Sequence, residues 1–447
     1  MKYFIIIVLL VVQLKAERMQ FPDNFLWGVA TSAHQIEGYN ENSDWWFWEH
    51  QEGKIAKDEV SGAATDHWNR LEQDTQLIKD LGVRMYRFSI EWAKIEPQRG
   101  KIDYLALKHY KKEIDLLIAA GITPMLTLHH FTHPQWFMEM GAWENPESTE
   151  LFLNYTKLVY ENLGEELNWI ITFNEPMVFI TVGWGAGLFP PGKTDTQATM
   201  VAAHGVLKAH AKAYHYLKAA AKQKNRTLKV GFAHHLRVFE AYRWWHPIDH
   251  IIANVSHRFF NNSFLKAIET GVYRVNLPII GTYKAKVDGL KFSQDFLGLN
   301  YYSRDMIKFN ASDPNGFEPI PNPKGDHTDL GWEIYPEGLS KVARSLNERF
   351  PGLPMIITEN GIADHKDLKR SEFIYLHLKE IWQMIQEGLP IEGYMYWSLL
   401  DNFEWIEGFE PRFGLYEVDY KNFERKLRPS GEYYKAIARQ NALTTPK

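Results

Sequence analysis

Short apolar runs alternate with longer amphipathic stretches along the whole chain, and each kind predicts its own element. Phe25 to Thr31, Met85 to Trp92, Thr123 to His130, Trp169 to Phe173, Leu228 to His235, Phe296 to Ser303, Pro354 to Thr358 and Ile391 to Leu399 are brief and rich in apolar, β-branched and aromatic residues, as buried strands are. Between them lie helical patterns: Ala64 to Leu81 with Leu71, Leu77 and Ile78 on one side, Tyr104 to Ala120, the alanine-rich Gln197 to Lys222, Pro247 to Glu269, Glu337 to Phe350 and Asp367 to Glu387. Asn310 to Leu330, rich in Pro, Asn, Asp and Gly, reads as a long surface loop. Strand and helix units repeat eight times without a linker or low-complexity tract, which predicts an α/β fold with one (β/α)8 TIM barrel spanning residues 19 to 443. A length of 447 residues would by itself suggest two domains. An open doubly wound sheet is the other α/β arrangement, but no Gly-x-Gly-x-x-Gly follows the first strand.

A barrel gathers its strand ends at one mouth, so the residues there acquire a meaning. Glu175 follows Trp169 to Asn174 and precedes Pro176, which biases it toward extended backbone. Glu359 ends a second buried run, before Asn360 and Gly361. Gln35, Arg87, His130, Asn174, Tyr302, Trp397 and Glu404 stand at the other strand ends. Two carboxyls among hydrogen-bonding groups and aromatic walls fit glycoside hydrolysis, in which one acid protonates the leaving oxygen while the other attacks or activates water.

The motifs that occupy these positions resemble the family 1 glycoside hydrolases, of β-glucosidase type, from about Phe21 to Ala442. They are Phe25-Leu26-Trp27-Gly28, Gln35-Ile36-Glu37-Gly38, Tyr86-Arg87-Phe88-Ser89, Thr172-Phe173-Asn174-Glu175-Pro176, Asn300-Tyr301-Tyr302, Ile357-Thr358-Glu359-Asn360-Gly361, and Trp397 through Trp405. The resemblance implies a retaining β-glycosidase without metal or cofactor, acting on a terminal, non-phosphorylated sugar through a covalent intermediate. It implies Glu359 as nucleophile and Glu175 as acid/base. Gln35, His130, Asn174, Glu404 and Trp405 would hold the sugar, Trp397 would lie beneath its ring, and Trp332 would wall the aglycone site. A cis peptide between Trp397 and Ser398 is also implied. Two positions depart from the family: Phe131 stands where tryptophan usually follows His130, removing one ring-nitrogen donor to the sugar, and His34 is uncommon.

Beside Glu359, Arg87 would hold the carboxylate ionised, with Tyr302 nearby, while Glu175 would have a raised pKa and keep its proton. Arg87 pairing a structural acid, and Tyr302 and Trp397 serving as core aromatics, are the plain alternatives. The histidines at 129, 130, 133, 234 and 235 form no His-Glu-x-x-His helix, and neighbours on a strand point to opposite faces, which argues against a metal site. A sugar-binding protein on the same barrel would not require both glutamates. Hydrolases of phosphorylated disaccharides replace the position of Glu404 with serine and add a lysine and tyrosine. A transglycosylase would use the same intermediate.

Composition narrows the partners. A net charge of -5 with scattered Lys and Arg offers no nucleic-acid surface, and 14% aromatics suit sugar faces as well as a large core. Without cysteine there is no disulfide, thiolate zinc site or cysteine nucleophile. Residues 1 to 16 read as a signal peptide, too short to anchor in a membrane, which predicts a secreted or periplasmic protein; translation from Met19 would leave it cytoplasmic.

Overall fold

The structure, a computed structural model, describes residues 18–277, 281–313 and 316–446. The leader read at residues 1 to 16 lies outside them. Eight strands, β1 (Leu26–Ala30), β2 (Met85–Ser89), β3 (Thr123–Thr127), β4 (Trp169–Asn174), β5 (Lys229–His235), β6 (Phe296–Asn300), β7 (Met355–Asn360) and β8 (Ile391–Trp397), close a barrel in chain order. Every neighbouring pair is parallel, and β8 returns to β1 with Tyr396 opposite Val29 and Trp397 opposite Ala30. Parallel pairing needs long crossovers, which the helices supply. They are α1 (Leu71–Leu81), α2 (Tyr104–Ala119), α3 (Ser148–Leu163), α4 (Thr196–Gln223), α5 (Asn262–Thr270), α6 (Pro336–Arg349), α7 (Arg370–Gln386) and α8 (Pro429–Gln440).

Alternation along each strand separates two apolar layers. Met85, Met125, Ile171, Phe296, Ile356 and Met395 form an inner cluster that fills the barrel. Tyr86, Phe88, Leu126, Ile170, Leu297, Ile357 and Tyr394 belong to the larger cluster shared with the helices. Each fully buried side chain of this size contributes roughly 1.5–3 kcal/mol. Asp103 and Asp195 fix the starts of α2 and α4, accepting from the backbone N–H of Leu105 and Ala106 and of Gln197 and Ala198.

Three elements depart from the pattern-based expectation. The first helix begins at Leu71 rather than Ala64, because Ala64 and Asp66 take positive φ of 50° and 58° and break the helical path. The stretch from Pro247 to Glu269 bends through a wide turn at His257–Asn261 that divides Pro247–Ser256 from α5. Within the loop expected at Asn310 to Leu330, Phe317–Ile320 forms a strand against Arg304–Phe309, which also pairs with Val238–Ala241. It is the edge of a three-stranded sheet, with Glu318 accepting from Lys308 across the ladder, so the Pro-, Asn-, Asp- and Gly-rich composition around it concealed an edge strand. No helix among the described residues is long and apolar enough to cross a membrane.

Gly28 shows how tightly the barrel interior closes. A Cβ there would meet Met395 Sδ at 2.2 Å and the Met85 carbonyl oxygen at 2.6 Å. The methionine would have to yield and β2 would have to shift. Gly28→Ala is therefore expected to lower stability by about 1–3 kcal/mol, checked by denaturant unfolding, with no loss if the interior were loosely filled.

Candidate active site

Strand ends carry most of the site, and hydrogen bonds tie them together. Arg87, buried on β2, donates through Nη1 to Glu359 Oε1 and, at 3.1 Å, to the Thr358 carbonyl, and through Nη2 to Asn174 Oδ1 at 2.6 Å. Tyr302 OH donates to the other oxygen of Glu359 at 2.7 Å. Across the mouth, Asn300 Nδ2 donates to Glu175 Oε1 at 2.7 Å and to Asn174 Oδ1 at 3.0 Å, while Thr358 Oγ1 donates to Asn300 Oδ1 at 2.6 Å. The two carboxyls thus belong to one buried network that leaves each with different donors.

Glu175 does not take the extended backbone expected before Pro176. Its φ and ψ are 41° and 56°, the left-handed region, and its N–H donates to the Ala233 carbonyl at 2.8 Å. That bond to β5 turns the chain at once into the short helix Pro176–Ile180, whose Val178 N–H donates back to the Glu175 carbonyl. Left-handed backbone at a residue other than glycine costs energy, which the surrounding bonds offset.

The remaining candidates line the same cavity or brace it. Gln35 sits on a short helical turn after β1, and its Nε2 donates to Asn402 Oδ1 and the Phe403 carbonyl at 2.9 Å each and approaches Glu404 Oε2 at 3.2 Å. Ser32 Oγ donates to Gln35 Oε1 at 2.6 Å, which orients the amide. His130 Nε2 lies 3.0 Å from Asn174 Nδ2, and its ring stacks toward Trp397 and Trp405 at 5.9 and 6.0 Å. Trp332 packs on Tyr302 and Phe413. The cavity, of about 270 Å³, has Glu175, Glu359, Glu404, His130, Asn174, Tyr302, Trp397 and Trp405 in its walls and Trp332, Val178, Val182, Leu188 and Ile406 toward its rim. The Trp397–Ser398 peptide is cis.

Both departures named from the sequence are buried beside Trp405. Phe131 packs between Phe179, Phe189 and Trp405. His34 stacks behind Trp405 at 5.6 Å and 9°, with Nε2 3.4 Å from Glu49. Of the other histidines, His129 and His133 pack ring against ring at 4.6 Å, but their remaining partners differ. His129 packs on Phe173 and Phe179, and His133 is held between Asp44 and the Trp143 indole N–H.

Burial raises the Glu359 carboxyl to about 7, against Arg87 and with the charge of Glu175. Burial acts the same way on Glu175, but His235, Asn300 and Arg87 outweigh it and pull that carboxyl down. These directions run opposite to the expectation from sequence, in which Glu175 keeps the proton. The contacts of the two carboxyls also differ: Arg87 touches Glu359 and not Glu175, whereas His235, whose Nε2 accepts from Arg237 Nε at 3.1 Å, stands beside Glu175. Glu404 is pushed up to about 8 by burial and by the charges of Glu359 and Glu175, and its Oε2 accepts from Gln35.

Sequence reasoning missed two contacts of Glu175. Asn300 was present only as part of a motif, and His235 was weighed only as a metal ligand. Both end barrel strands, the same signal that selected the others.

Known proteins match this arrangement along nearly the whole chain. The model of glycosyl hydrolase family 1 matches residues 17–443. β-Glucosidase A of Thermotoga maritima is 36% identical, over 95% of this chain and 99% of that protein. A 1,4-β-D-glucan glucohydrolase of Thermotoga neapolitana is 34% identical over the same shares. Among solved structures, a β-glycosidase from Pyrococcus horikoshii superposes with a TM-score of 0.87 at 38% identity, covering 96% of this chain and 97% of that one. The Thermotoga maritima β-glucosidase bound to glucoimidazole gives 0.88 at 34% identity, over 95% and 99%. The chain therefore belongs to glycosyl hydrolase family 1, whose members are retaining β-glycosidases.

Proposed function

We propose that Glu359 is the nucleophile and Glu175 the acid/base of a β-glucosidase-type enzyme that removes a terminal, non-phosphorylated sugar. The observation that carries the roles is the unequal wiring of the two carboxyls: Arg87 and Tyr302 donate to Glu359, and neither bonds Glu175. A carboxylate held by a guanidinium and a phenol is kept charged and fixed for attack. In the first step a Glu359 oxygen bonds to the anomeric carbon as the bond to the aglycone breaks, and the Glu175 proton moves to the departing oxygen. In the second, water gives a proton to Glu175 and its oxygen displaces Glu359, so configuration is retained.

Gln35, His130, Asn174, Glu404 and Trp405 bind the hydroxyls of the sugar in this reading, and Trp397 supports its ring. Trp332, Val178, Val182, Leu188 and Ile406 offer the leaving group an apolar rim, which favours aryl and alkyl aglycones. Among the described residues the cavity wall has no lysine, and its arginine, Arg237, is committed to Asp305. A 6-phosphate would enter unpaired beside buried carboxyls. Aryl β-glucosides or β-galactosides should release their aglycone and the 6-phospho analogues should not; turnover of the phosphorylated panel would contradict the reading.

The pair must hold one proton to react. Below the lower constant Glu359 is protonated and cannot attack; above the upper one Glu175 has no proton to give. The profile of kcat/KM should be bell-shaped, its acid limb set by protonation of Glu359 and its alkaline limb by loss of the Glu175 proton. A rate that never falls on the alkaline side would count against a shared proton.

Substitution separates the roles. Glu359→Gly should abolish hydrolysis, with azide entering the vacated space to give a glycosyl azide of inverted configuration. Glu175→Ala should spare dinitrophenyl glycosides, whose leaving group needs no acid, and lose other substrates by roughly 10²–10⁴-fold; azide should then give product of retained configuration. The reverse pattern would exchange the two assignments.

A further inference from the structure

Beyond the residues that the resemblance supplies, the cavity wall holds His235, the last residue of β5, and Arg237 two positions on. His235 Nδ1 lies 3.2 Å from Glu175 Oε1, and Arg237 Nε donates to His235 Nε2 at 3.1 Å. Arg237 is itself anchored. Its Nη1 donates to Asp305 Oδ2 at 2.8 Å, its backbone N–H donates to Asn261 Oδ1 at 3.1 Å, and Asn261 Nδ2 donates to its carbonyl at 2.6 Å. The imidazole is buried against Tyr302 and Phe260, with ring centroids 5.7 and 5.8 Å away. A guanidinium N–H that fills the Nε2 lone pair fixes the tautomer, and the ring proton on Nδ1 then faces Glu175. The contact is not yet aligned as a hydrogen bond, as is common before substrate tightens a site.

Asn300 donates to the same oxygen, Glu175 Oε1, at 2.7 Å. An oxygen that accepts from two donors is a poor place for a proton, so the acidic hydrogen belongs on Oε2. The other charged or titratable groups around Glu175 are Arg87 from β2, Glu359 from β7, Tyr302 beyond β6 and Glu404 beyond β8. None of them donates to Oε1.

We propose that His235, locked by Arg237, is a positioning residue for Glu175: with Asn300 it reserves Oε1 as an acceptor, keeps the transferable proton on Oε2 and stabilises the carboxylate left behind when that proton departs. The proposal rests on the assignment of Glu175 as acid/base. A histidine that merely filled space would need neither the guanidinium on one nitrogen nor the carboxyl on the other.

The test compares wild type, His235→Ala, His235→Asn and Arg237→Gln in full-length protein, on a phenyl β-glycoside and a dinitrophenyl β-glycoside across pH. Asparagine sets its amide nitrogen where Nδ1 stands, so it keeps the donor to Glu175. Removing that donor favours the protonated carboxyl, so the alkaline limb of His235→Ala should move upward by about half to one pH unit. Its kcat/KM on the phenyl glycoside should fall about tenfold, with less than about a twofold change on the dinitrophenyl substrate. His235→Asn should restore both readouts. Arg237→Gln, which frees the tautomer with the ring in place, should move the limb the same way by less.

An unmoved limb in His235→Ala with equal losses on both substrates would overturn the proposal, as would His235→Asn behaving like His235→Ala. If His235→Ala failed to fold, an unmoved limb in Arg237→Gln would overturn it. Glu175→Ala is run alongside. Equal loss of both substrates there would overturn the acid/base assignment itself, whereas sparing of the dinitrophenyl substrate beside an inert His235→Ala would overturn the positioning role alone.

Discussion

Three carboxyls, those of the buried Glu175 and Glu359 and the half-buried Glu404, surround a cavity of about 270 Å³, and Arg87 is the guanidinium that bonds one of them directly. Desolvating that many acids would simply keep them protonated, and none could attack, unless a cation singled one out. Arg87 does so by touching Glu359. Its second branch, to Asn174 Oδ1, ends beside Glu175 without donating to it, so one side chain creates the asymmetry between the carboxyls. Breaking a buried pair of this kind typically costs about 3–5 kcal/mol, which ties the chemistry of the site to the stability of the barrel.

The barrel makes this asymmetry reproducible. Arg87 stands opposite Ala30 on β1 and Met125 on β3, a register fixed by parallel ladders on both sides. The ladders slip where the site begins: between Ile171 and Asn174 for β4 against β5, between Leu299 and Asn300 for β6 against β7, and between Ile357 and Asn360 for β7 against β8. Such irregularities re-aim side chains at the end of a strand, and the residues beside them are Glu175, Asn300 and Glu359. Behind the polar ring lies an aromatic layer in which Trp405 is packed by His34, His130 and Phe131. The end of the cavity at Trp405 is thus shaped by rigid packing, and Phe131 presents an apolar ring there.

Much of this was legible in the sequence because strand ends are marked twice, once where an apolar run stops and once by a residue too polar to be there for packing. Glu175, Glu359, Arg87, His130, Asn174, Tyr302 and Trp397 were all found in that way, while Trp332 and Trp405 came from resemblance alone. Glu175's backbone was misread because a local rule about the residue before proline lost to a bond with Ala233 on the neighbouring strand. His235 was weighed only as a metal ligand and set aside, because its partner Arg237, two residues on, reveals its use only when β5 and the loop are folded. The strand Phe317–Ile320 stayed hidden because it is four residues long inside a stretch rich in Pro, Asn, Asp and Gly, and only pairing with Arg304–Phe309 makes it a strand.

The most direct measurement is to trap the covalent intermediate with a 2-deoxy-2-fluoro glycoside bearing a dinitrophenolate leaving group, digest the inactivated protein and locate the added sugar by mass spectrometry. Because Arg87 and Tyr302 charge and fix Glu359, the label should appear once per chain on the peptide that carries Glu359. A label on the peptide carrying Glu175 would contradict the account.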